Sequence, residues 1–241
     1  MIGEDIIEEE ETSQRMIHCI FEFCEKVLSS ELNKRHGPLP IDHTRKIIRE
    51  LLEAIDILHG KMILHRDIKP DNILIDKSGR VKLADFGLAK KASFLQRRKS
   101  NAIVSLWYRA PEIILGSEDY FLGVDMWSIG CILAELMYKR PIFMCRNESE
   151  VLTRIFCLLG TPSPTHSPSL LKLKKWQAEG PKFGVVAAPG NLRKMFNEVP
   201  DDAFDLLQKL LCLDPNQRIL AKQALKHPFL TGRNGGRAHS Q

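Results

Sequence analysis

The stretch HRDIKPDN at residues 65–72, followed by DFG at 85–87, determines how this chain folds. Two short apolar runs lie between these motifs, at 72–75 and 81–84, and the polar segment DKSGR at 76–80 separates them. Apolar runs on either side of a polar, glycine-containing segment predict a β-hairpin. We therefore expect an antiparallel strand pair that begins at the first motif and ends at the second.

Asn72 and Asp85 stand at the open end of this predicted hairpin. Asn72 opens the first strand and Asp85 follows the second, so antiparallel pairing brings both side chains to the same end. An amide oxygen and a carboxylate are hard donors of the kind that Mg²⁺ prefers, and Mg²⁺ keeps other coordination positions for phosphates and water. The spacing therefore predicts that Asn72 and Asp85 are metal ligands.

The two motifs resemble the catalytic loop and the metal-binding triplet of protein kinases. The resemblance continues in LWYRAPE at 106–112, VDMWSIGCI at 124–132 and RPIF at 140–143, which are similar to segments of cyclin-dependent and mitogen-activated kinases. It implies an α+β protein-kinase fold, with a mainly helical C-terminal lobe and a truncated N-terminal lobe.

The resemblance implies that Asp67, Lys69, Asn72 and Asp85 carry catalysis, with ATP and Mg²⁺ as cofactors. Phosphoryl transfer depends on positioning and charge neutralisation, and the Asp67 carboxylate can orient a substrate hydroxyl and take its proton. Lys69 would neutralise charge on the transferred phosphoryl group. In the family, a lysine at this position marks serine/threonine rather than tyrosine kinases. The alternative interpretation is a surface turn of polar and charged residues.

Substrate choice and regulation are implied for five further residues. In the similar kinases, the arginine at the position of Arg109 shapes a pocket that favours proline just after the target residue, and the hydroxyl residue at the position of Ser105 contacts the catalytic loop. Proline-directed substrates are therefore implied. Ser100 stands where cyclin-dependent kinases carry their activating phosphothreonine, and a phosphate there could pair with Arg66 and Lys90. The alternative is an ordinary loop serine in a basic stretch.

Upstream of the catalytic loop, the mostly apolar run 17–23 predicts a short strand. Its end resembles the hinge between the two kinase lobes. The backbone of Glu22 and Cys24 would hydrogen-bond to the adenine ring of ATP, with Phe21 at the back of that pocket and Leu74 beneath the ring. The alternative is a group of core aromatic residues at the end of a strand.

Three residues resemble structural supports of the family. Glu112 is similar to a buried acid that pairs with an arginine far along the chain, and Arg218 is the matching candidate. Loss of one partner would leave a buried charge uncompensated. Asp125 is similar to the core-helix acid that holds the catalytic loop by accepting backbone hydrogen bonds.

Hydrophobic periodicity predicts most of the remaining elements. Apolar residues at three- and four-residue steps predict an amphipathic helix over 41–59. The segment 124–137 is apolar on nearly every face, which a helix sustains only when it is buried all round. Helical patterning returns at 202–213 and 221–225, after a segment rich in Pro, Ser and Gly at 160–190 that predicts irregular structure.

Three parts of the chain are predicted to differ in character. Residues 1–16 are an acidic remnant of the N-terminal lobe or disordered, residues 17–230 form the kinase domain with hinge and C-terminal lobe, and residues 231–241 form a disordered tail. A complete kinase carries a Gly-rich loop, a strand lysine and a helix glutamate before the hinge. No such set is found in residues 1–20, from which we expect an incomplete version of the domain.

Composition excludes several other classes of protein. The 241 residues are 44% apolar and 27% charged, which fits one globular unit, and the net charge of +5 is too modest to indicate a nucleic-acid site. The six cysteines show no CxxC pair or ligand spacing, so neither zinc nor a disulfide framework is indicated. We expect an intracellular protein of the nucleus or cytoplasm, without a membrane or nucleic-acid partner.

Two functions follow from these observations. The first is a protein serine/threonine kinase of the cyclin-dependent type, acting on Ser/Thr-Pro sites in proteins, with a cyclin-type regulatory subunit as a candidate partner. The second is a catalytically silent kinase lobe that acts as a scaffold or binding protein. The intact set at Asp67, Lys69, Asn72 and Asp85 favours the first.

Overall fold

The computed structural model describes residues 19–91, 106–117, 122–188 and 190–232. Within them the fold is mixed α+β and mostly helical, with two small antiparallel sheets, as the sequence predicts. The strands are β1 Lys26–Val27, β2 Ile63–Leu64, β3 Ile73–Ile75, β4 Val81–Leu83 and β5 Lys90–Lys91. The helices are α1 Leu28–Lys34, α2 Ile41–Gly60, α3 Pro111–Ile114, α4 Gly123–Tyr138, α5 Glu148–Leu159, α6 Pro168–Leu171, α7 Lys174–Glu179, α8 Leu192–Met195, α9 Asp201–Leu210, α10 Ala221–Ala224 and α11 Pro228–Thr231, with 3₁₀ turns at Pro70–Asn72, Leu106–Tyr108 and Gly180–Phe183.

Helices α2 and α4 form the centre of the core and pack against each other. Along α2 the apolar residues recur on one face, and Ile48, Leu51, Leu52 and Ile55 on that face are fully buried. Each such side chain contributes roughly 1.5–3 kcal/mol relative to an exposed one. Helix α4 is buried from its first residue to Met137, because α2, α9 and the turn Leu106–Tyr108 pack around it. Both helix predictions are confirmed.

The predicted hairpin is strands β3 and β4, which pair in antiparallel register with Ile73 opposite Leu83. Its turn is closed by Asp76, whose Oδ1 accepts from the backbone N–H groups of Ser78 and Arg80 at 2.8 and 2.9 Å. A hydrogen bond from the Ser78 hydroxyl, followed by that from the Arg80 backbone, holds the pKa of Asp76 well below its usual range. On the next strand, the Val81 N–H donates to Glu50 Oε2 at 2.7 Å, which fastens the hairpin to α2.

The predicted strand at 17–23 is wrong for its described residues. Residues 19–24 have no regular secondary structure, and Phe21 and Phe23 are exposed. Pairing begins only at β1, where Val27 lies opposite Leu74. Backbone groups of a strand need a neighbour to pair with, and this run has none in the part of the chain that the structure describes.

Two other predictions need adjustment. The segment 160–190 is not wholly irregular, because α6, α7 and the turn Gly180–Phe183 lie within it. Aromatic packing supports this part, since the rings of Trp176 and Phe183 stack and both meet Phe156 edge-on. The helix predicted over 202–213 ends at Leu210 as α9.

Some predictions fall on residues outside the described ranges. These are the predictions for Ser100 and Ser105, for residues 1–16, and for residues 233–241 of the predicted tail. The tail was predicted to begin at Thr231, but Thr231 is the last residue of α11. All six cysteines are described, and each is a free thiol.

A buried ion pair joins α3 to the segment between α9 and α10. Arg218 donates to Glu112 through Nη1 at 2.8 Å and Nη2 at 3.0 Å, and its guanidinium lies over the ring of Trp127. Arg218 also donates to the carbonyl oxygen of Gly123, the first residue of α4. The predicted Glu112–Arg218 pair is therefore confirmed. Its bidentate geometry and backbone partners offset the cost of burying two charges.

We predict that Arg218→Met lowers the free energy of unfolding by about 3–5 kcal/mol, because it leaves the Glu112 carboxylate buried without a cation. Denaturant unfolding measures the change. The matched control is Asp201→Asn, which removes the charge from an ion pair to Arg193 at the surface, and exposed pairs of this kind contribute about 0–1 kcal/mol. Equal losses in the two variants would contradict the assignment of Arg218 as a core support.

Candidate active site

The catalytic-loop motif is fastened to the core by one carboxylate, that of Asp125 in α4. Its Oδ2 accepts from the His65 backbone N–H at 3.0 Å and its Oδ1 from the Arg66 N–H at 2.8 Å. The ring of His59, at the end of α2, donates from Nε2 to Oδ2 at 2.9 Å. Asp125 is 1% exposed. The prediction that Asp125 holds the loop through backbone hydrogen bonds is confirmed.

Arg66 adopts a left-handed backbone conformation with φ of 69°. For a residue with a side chain this conformation costs about 1–2 kcal/mol, so something must hold it in place. The hydrogen bond from the Arg66 N–H to Asp125 is part of what holds it. Arg66 lies directly before Asp67, so its left-handed conformation sets the direction in which the chain continues to Asp67.

Asp67, Lys69 and Asn72 form one hydrogen-bonded group. Lys69 Nζ donates to Asp67 Oδ2 at 2.7 Å, and Asn72 Nδ2 donates to the same oxygen at 3.0 Å and to the Asp67 carbonyl at 2.8 Å. Asp67 is 4% exposed. Its other oxygen, Oδ1, is buried and has no hydrogen-bond partner among the described residues. A buried carboxylate oxygen without a protein partner costs free energy, so Oδ1 is an acceptor that a hydrogen-bond donor from a bound group can satisfy.

The ring of His65 connects the backbone of Asp67 to the segment just before Asp85. Its Nε2 lies 3.0 Å from the Ala84 carbonyl, and its Nδ1 lies 3.3 Å from the Asp67 backbone nitrogen. A carbonyl accepts and a backbone N–H donates, so the ring carries its hydrogen on Nε2. The edge of the Phe86 ring packs against His65 with 5.0 Å between centroids. The two sequence motifs are therefore in direct contact through His65.

Asp85 follows the hairpin at the end where Asn72 precedes it, as the spacing predicts. The Ala84 N–H donates to the Asn72 carbonyl at 2.9 Å, which places the residue before Asp85 directly beside Asn72. Asp85 is exposed, has a left-handed φ of 62°, and accepts from the Gly87 N–H at 3.2 Å. Its carboxylate and the Asn72 amide oxygen are hard donors that suit Mg²⁺.

A comparison with known families agrees with this geometry. The model of the protein kinase domain matches residues 5–230. The chain belongs to the protein kinase family. Family membership implies phosphate transfer to proteins, with ATP and Mg²⁺ as the usual cofactors. Among the described residues of this kinase, no helix is long and apolar enough to cross a membrane.

The residues predicted to contact adenine lie around the hairpin. Leu74 lies half-buried in β3, paired with Lys82 of β4. Lys82 forms an ion pair of 3.1 Å with the Glu22 carboxylate, which brings the predicted hinge beside the hairpin. Cys24 is partly exposed, and Phe21 is 84% exposed. Phe21 is therefore not enclosed in a pocket formed by the described residues.

Lys90 and Arg66, the predicted phosphate partners, belong to neighbouring segments. Strand β5 pairs with β2, with Lys90 opposite Leu64. Arg66 follows β2 after one intervening residue, His65. The β2–β5 pair thus brings the start of the segment after DFG alongside the catalytic loop. Both cationic residues are half-buried.

Tyr108 anchors the segment that carries Arg109. Its hydroxyl donates to Glu135 Oε2 at 2.7 Å, and its carbonyl accepts from the Ser128 hydroxyl at 2.9 Å, so both contacts lead to α4. Burial raises the pKa of the Tyr108 hydroxyl, with the charge of Glu135 as the next cause. Burial also raises the pKa of Glu135, although the hydrogen bond from Tyr108 opposes it. Sequence analysis missed Glu135, although an acid within a nearly uniformly apolar helix signals a buried partner.

Arg109 is tied to α5. Its Nη1 donates to Glu148 Oε1 at 2.7 Å, and the Arg109 side chain is 16% exposed. Glu148 also pairs with Lys175 of α7 at 3.0 Å. Neither Glu148 nor Lys175 was predicted from the sequence, because their separation along the chain carries no signal of contact.

We predict that Asp125→Asn makes the backbone amides of His65 and Arg66 exchange hydrogen on the order of 10- to 100-fold faster. The asparagine has one acceptor oxygen where the carboxylate has two, and its NH₂ group would face a donor. Hydrogen exchange resolved by residue measures the effect. Glu53→Gln, on the exposed face of α2, is the control. Unchanged exchange at both amides would show that the loop does not depend on Asp125.

A pH dependence follows from Glu135. Its raised pKa means that the fold favours the protonated acid, so the stability that it contributes is complete below the ordinary value of 4.5 and is lost as pH rises through the folded-state value. Glu135→Gln retains an oxygen that accepts from Tyr108 and cannot ionise. The variant should therefore gain stability relative to the wild type as pH rises above about 4.5. Denaturant unfolding at several pH values measures the difference, and a difference independent of pH would contradict it.

Proposed function

We propose that this chain is a serine/threonine kinase of the cyclin-dependent type, which transfers the γ-phosphate of ATP to Ser/Thr-Pro sites in proteins. The observation that carries the proposal is the hydrogen-bonded group of Asp67, Lys69 and Asn72. This group is held by a buried acid and stands next to Asp85 at the end of a hairpin. Such preorganisation is what phosphoryl transfer requires of a protein.

Asp67 is the residue that orients the substrate hydroxyl. Its Oδ2 is occupied by Lys69 and Asn72, whereas Oδ1 has no partner among the described residues and can accept a hydrogen bond. A hydroxyl that donates to Oδ1 is aligned for attack, and its proton moves to the carboxylate as the hydroxyl oxygen bonds to the γ-phosphorus of ATP. The bond from that phosphorus to the bridging oxygen breaks in the same step, and ADP leaves. Lys69 remains beside the reacting oxygen and neutralises phosphoryl charge.

Asn72 and Asp85 are the residues that would hold Mg²⁺. In support, the Asn72 amide nitrogen is used by Asp67, so the amide oxygen is its remaining donor atom for a metal. The Asp85 carboxylate is exposed at the same end of the hairpin. The described residues contain no cluster of three or more His, Cys, Asp or Glu side chains that could hold a metal by themselves. Mg²⁺ takes few protein ligands and supplies charge neutralisation at the phosphates when bound.

The adenine ring of ATP is proposed to lie against Leu74, with backbone hydrogen bonds to Glu22 and Cys24. The ion pair between Glu22 and Lys82 supports this placement, because it keeps the predicted hinge near the hairpin. Phe21 is proposed as the back of the pocket once nucleotide and neighbouring structure cover it. Its present exposure, at 84%, makes it the least supported of the four residues.

Arg109 and Ser105 are proposed to form part of the substrate pocket, and phosphate on Ser100 is proposed to order the segment through Arg66 and Lys90. The pairing of β5 with β2 supports the second proposal, because it brings Lys90 beside the catalytic loop. A phosphate there would form charge-assisted hydrogen bonds with both cations. Ser/Thr-Pro preference and a cyclin-type partner rest on the sequence resemblance.

A silent binding protein is the second candidate. The exposed side chains of Phe21 and Phe23 favour it, because large exposed apolar residues mark surfaces that meet other groups. The two candidates differ in whether the chain transfers phosphate.

We predict Mg²⁺-dependent transfer of phosphate from ATP to a peptide with a Ser-Pro site by the purified chain, measured with radiolabelled ATP. Asp85→Asn should lower the rate by at least roughly 100-fold, because it removes a carboxylate that neutralises phosphate charge through the metal. A tyrosine peptide should remain unmodified.

Asp205→Asn is the matched control, because Asp205 lies on α9 and pairs with Lys209 and His227 away from the hairpin. This variant should keep the wild-type rate. A folded wild-type chain without transfer activity would refute the enzyme proposal in favour of the binding protein. Activity that survives Asp85→Asn would show that Asp85 has another role.

A further inference from the structure

Glu148 connects three segments that are distant along the chain. Its Oε1 accepts from Arg109 Nη1 at 2.7 Å and its Oε2 from Lys175 Nζ at 3.0 Å. Lys175 Nζ also donates to the Ile114 carbonyl, at the end of α3, at 2.9 Å. One carboxylate therefore bridges two cations, and one of those cations also holds the backbone just beyond Arg109.

Glu148 is itself well anchored. It is the first residue of α5, and the side chain of Asn147 caps that helix by accepting from the Glu150 N–H at 2.9 Å. A carboxylate in the first turn is stabilised by the positive end of a helix. The acceptor that faces Arg109 is therefore a preorganised part of α5.

The backbone around Arg109 is fixed independently of Glu148. On its N-terminal side, Tyr108 is bonded to Glu135, and the indole of Trp107 donates to the Cys145 carbonyl at 2.9 Å. Arg109 is followed by Ala110, which is buried. Loss of Glu148 should therefore move the Arg109 guanidinium while the segment that carries it remains in place.

We propose that Glu148 and Lys175 are positioning residues that hold the Arg109 guanidinium and thereby set the preference for the residue that follows the phosphoacceptor. The inference rests on the proposed function, in which Arg109 forms part of the substrate pocket. Proline is the one residue without a backbone N–H. A pocket that offers no hydrogen-bond acceptor therefore disfavours every other residue, because the backbone N–H of that residue stays unpaired. Without Glu148, two neighbouring cations lose their common partner and repel each other, and the guanidinium loses one of the contacts that hold it in its present position.

The test measures peptide binding separately from phosphate transfer. Fluorescence anisotropy gives the affinities of the full chain, without ATP, for two labelled peptides that differ only in Ser-Pro against Ser-Ala. Glu148→Gln should lower the ratio of the two affinities about fivefold, and Lys175→Met should lower it by about half as much. Lys175→Arg keeps the charge and should retain the ratio, as should Lys174→Met on the exposed neighbour in α7.

The ratio of the two affinities does not depend on the fraction of folded protein. If Glu148 and Lys175 had a purely structural role, their substitution would lower thermal stability and leave this ratio unchanged. Selectivity retained in Glu148→Gln would overturn the inference, and so would a wild-type chain that binds both peptides equally or neither. In the transfer assay, Glu148→Gln should raise KM for the Ser-Pro peptide, with kcat changed less than about twofold. Absence of transfer together with selectivity that depends on Glu148 would refute the proposed function and leave this inference standing.

Discussion

The carboxylate of Asp125 is the link between the buried core and the catalytic loop. Helix α4 is packed on all sides, so this acceptor has a fixed position, and the backbone N–H groups of His65 and Arg66 must come to it. Hydrogen bonds to a charged group contribute about 1.5–3 kcal/mol each, enough to offset the left-handed conformation of Arg66. These two hydrogen bonds fix the position of Asp67, and the hydrogen bonds of Asp67 in turn fix Lys69 and Asn72.

The parts of the site that depend on local pairing could be predicted from the sequence. The hairpin has a turn that its own Asp76 closes, so the spacing of polar and apolar residues was enough to bring Asn72 and Asp85 to one end. The strand at 17–23 could not be judged in this way. Apolar composition describes a segment that can pair, whereas pairing needs a neighbour. Among the described residues before β3, Lys26–Val27 alone pair with that strand.

Contacts between segments that are distant along the chain could be predicted only where a family motif indicated them. Glu112 and Arg218 were predicted as partners through family resemblance, and their bidentate contact, with the guanidinium over the ring of Trp127, joins α3 to the segment between α9 and α10. Glu148 and Lys175 had no such motif, since each lies in a helix whose exposed face looks like any solvated surface. Only the fold brings their charges to Arg109.

The most direct test of this account is paramagnetic broadening by Mn²⁺, used in place of Mg²⁺, in nuclear magnetic resonance spectra of the chain with ATP. If Asn72 and Asp85 hold the metal beside the clamped loop, the side-chain amide of Asn72 and the backbone amides of Phe86 and Gly87 should broaden first, while the Arg218 guanidinium stays sharp. Broadening centred elsewhere, or none with nucleotide present, would contradict the assembled active site.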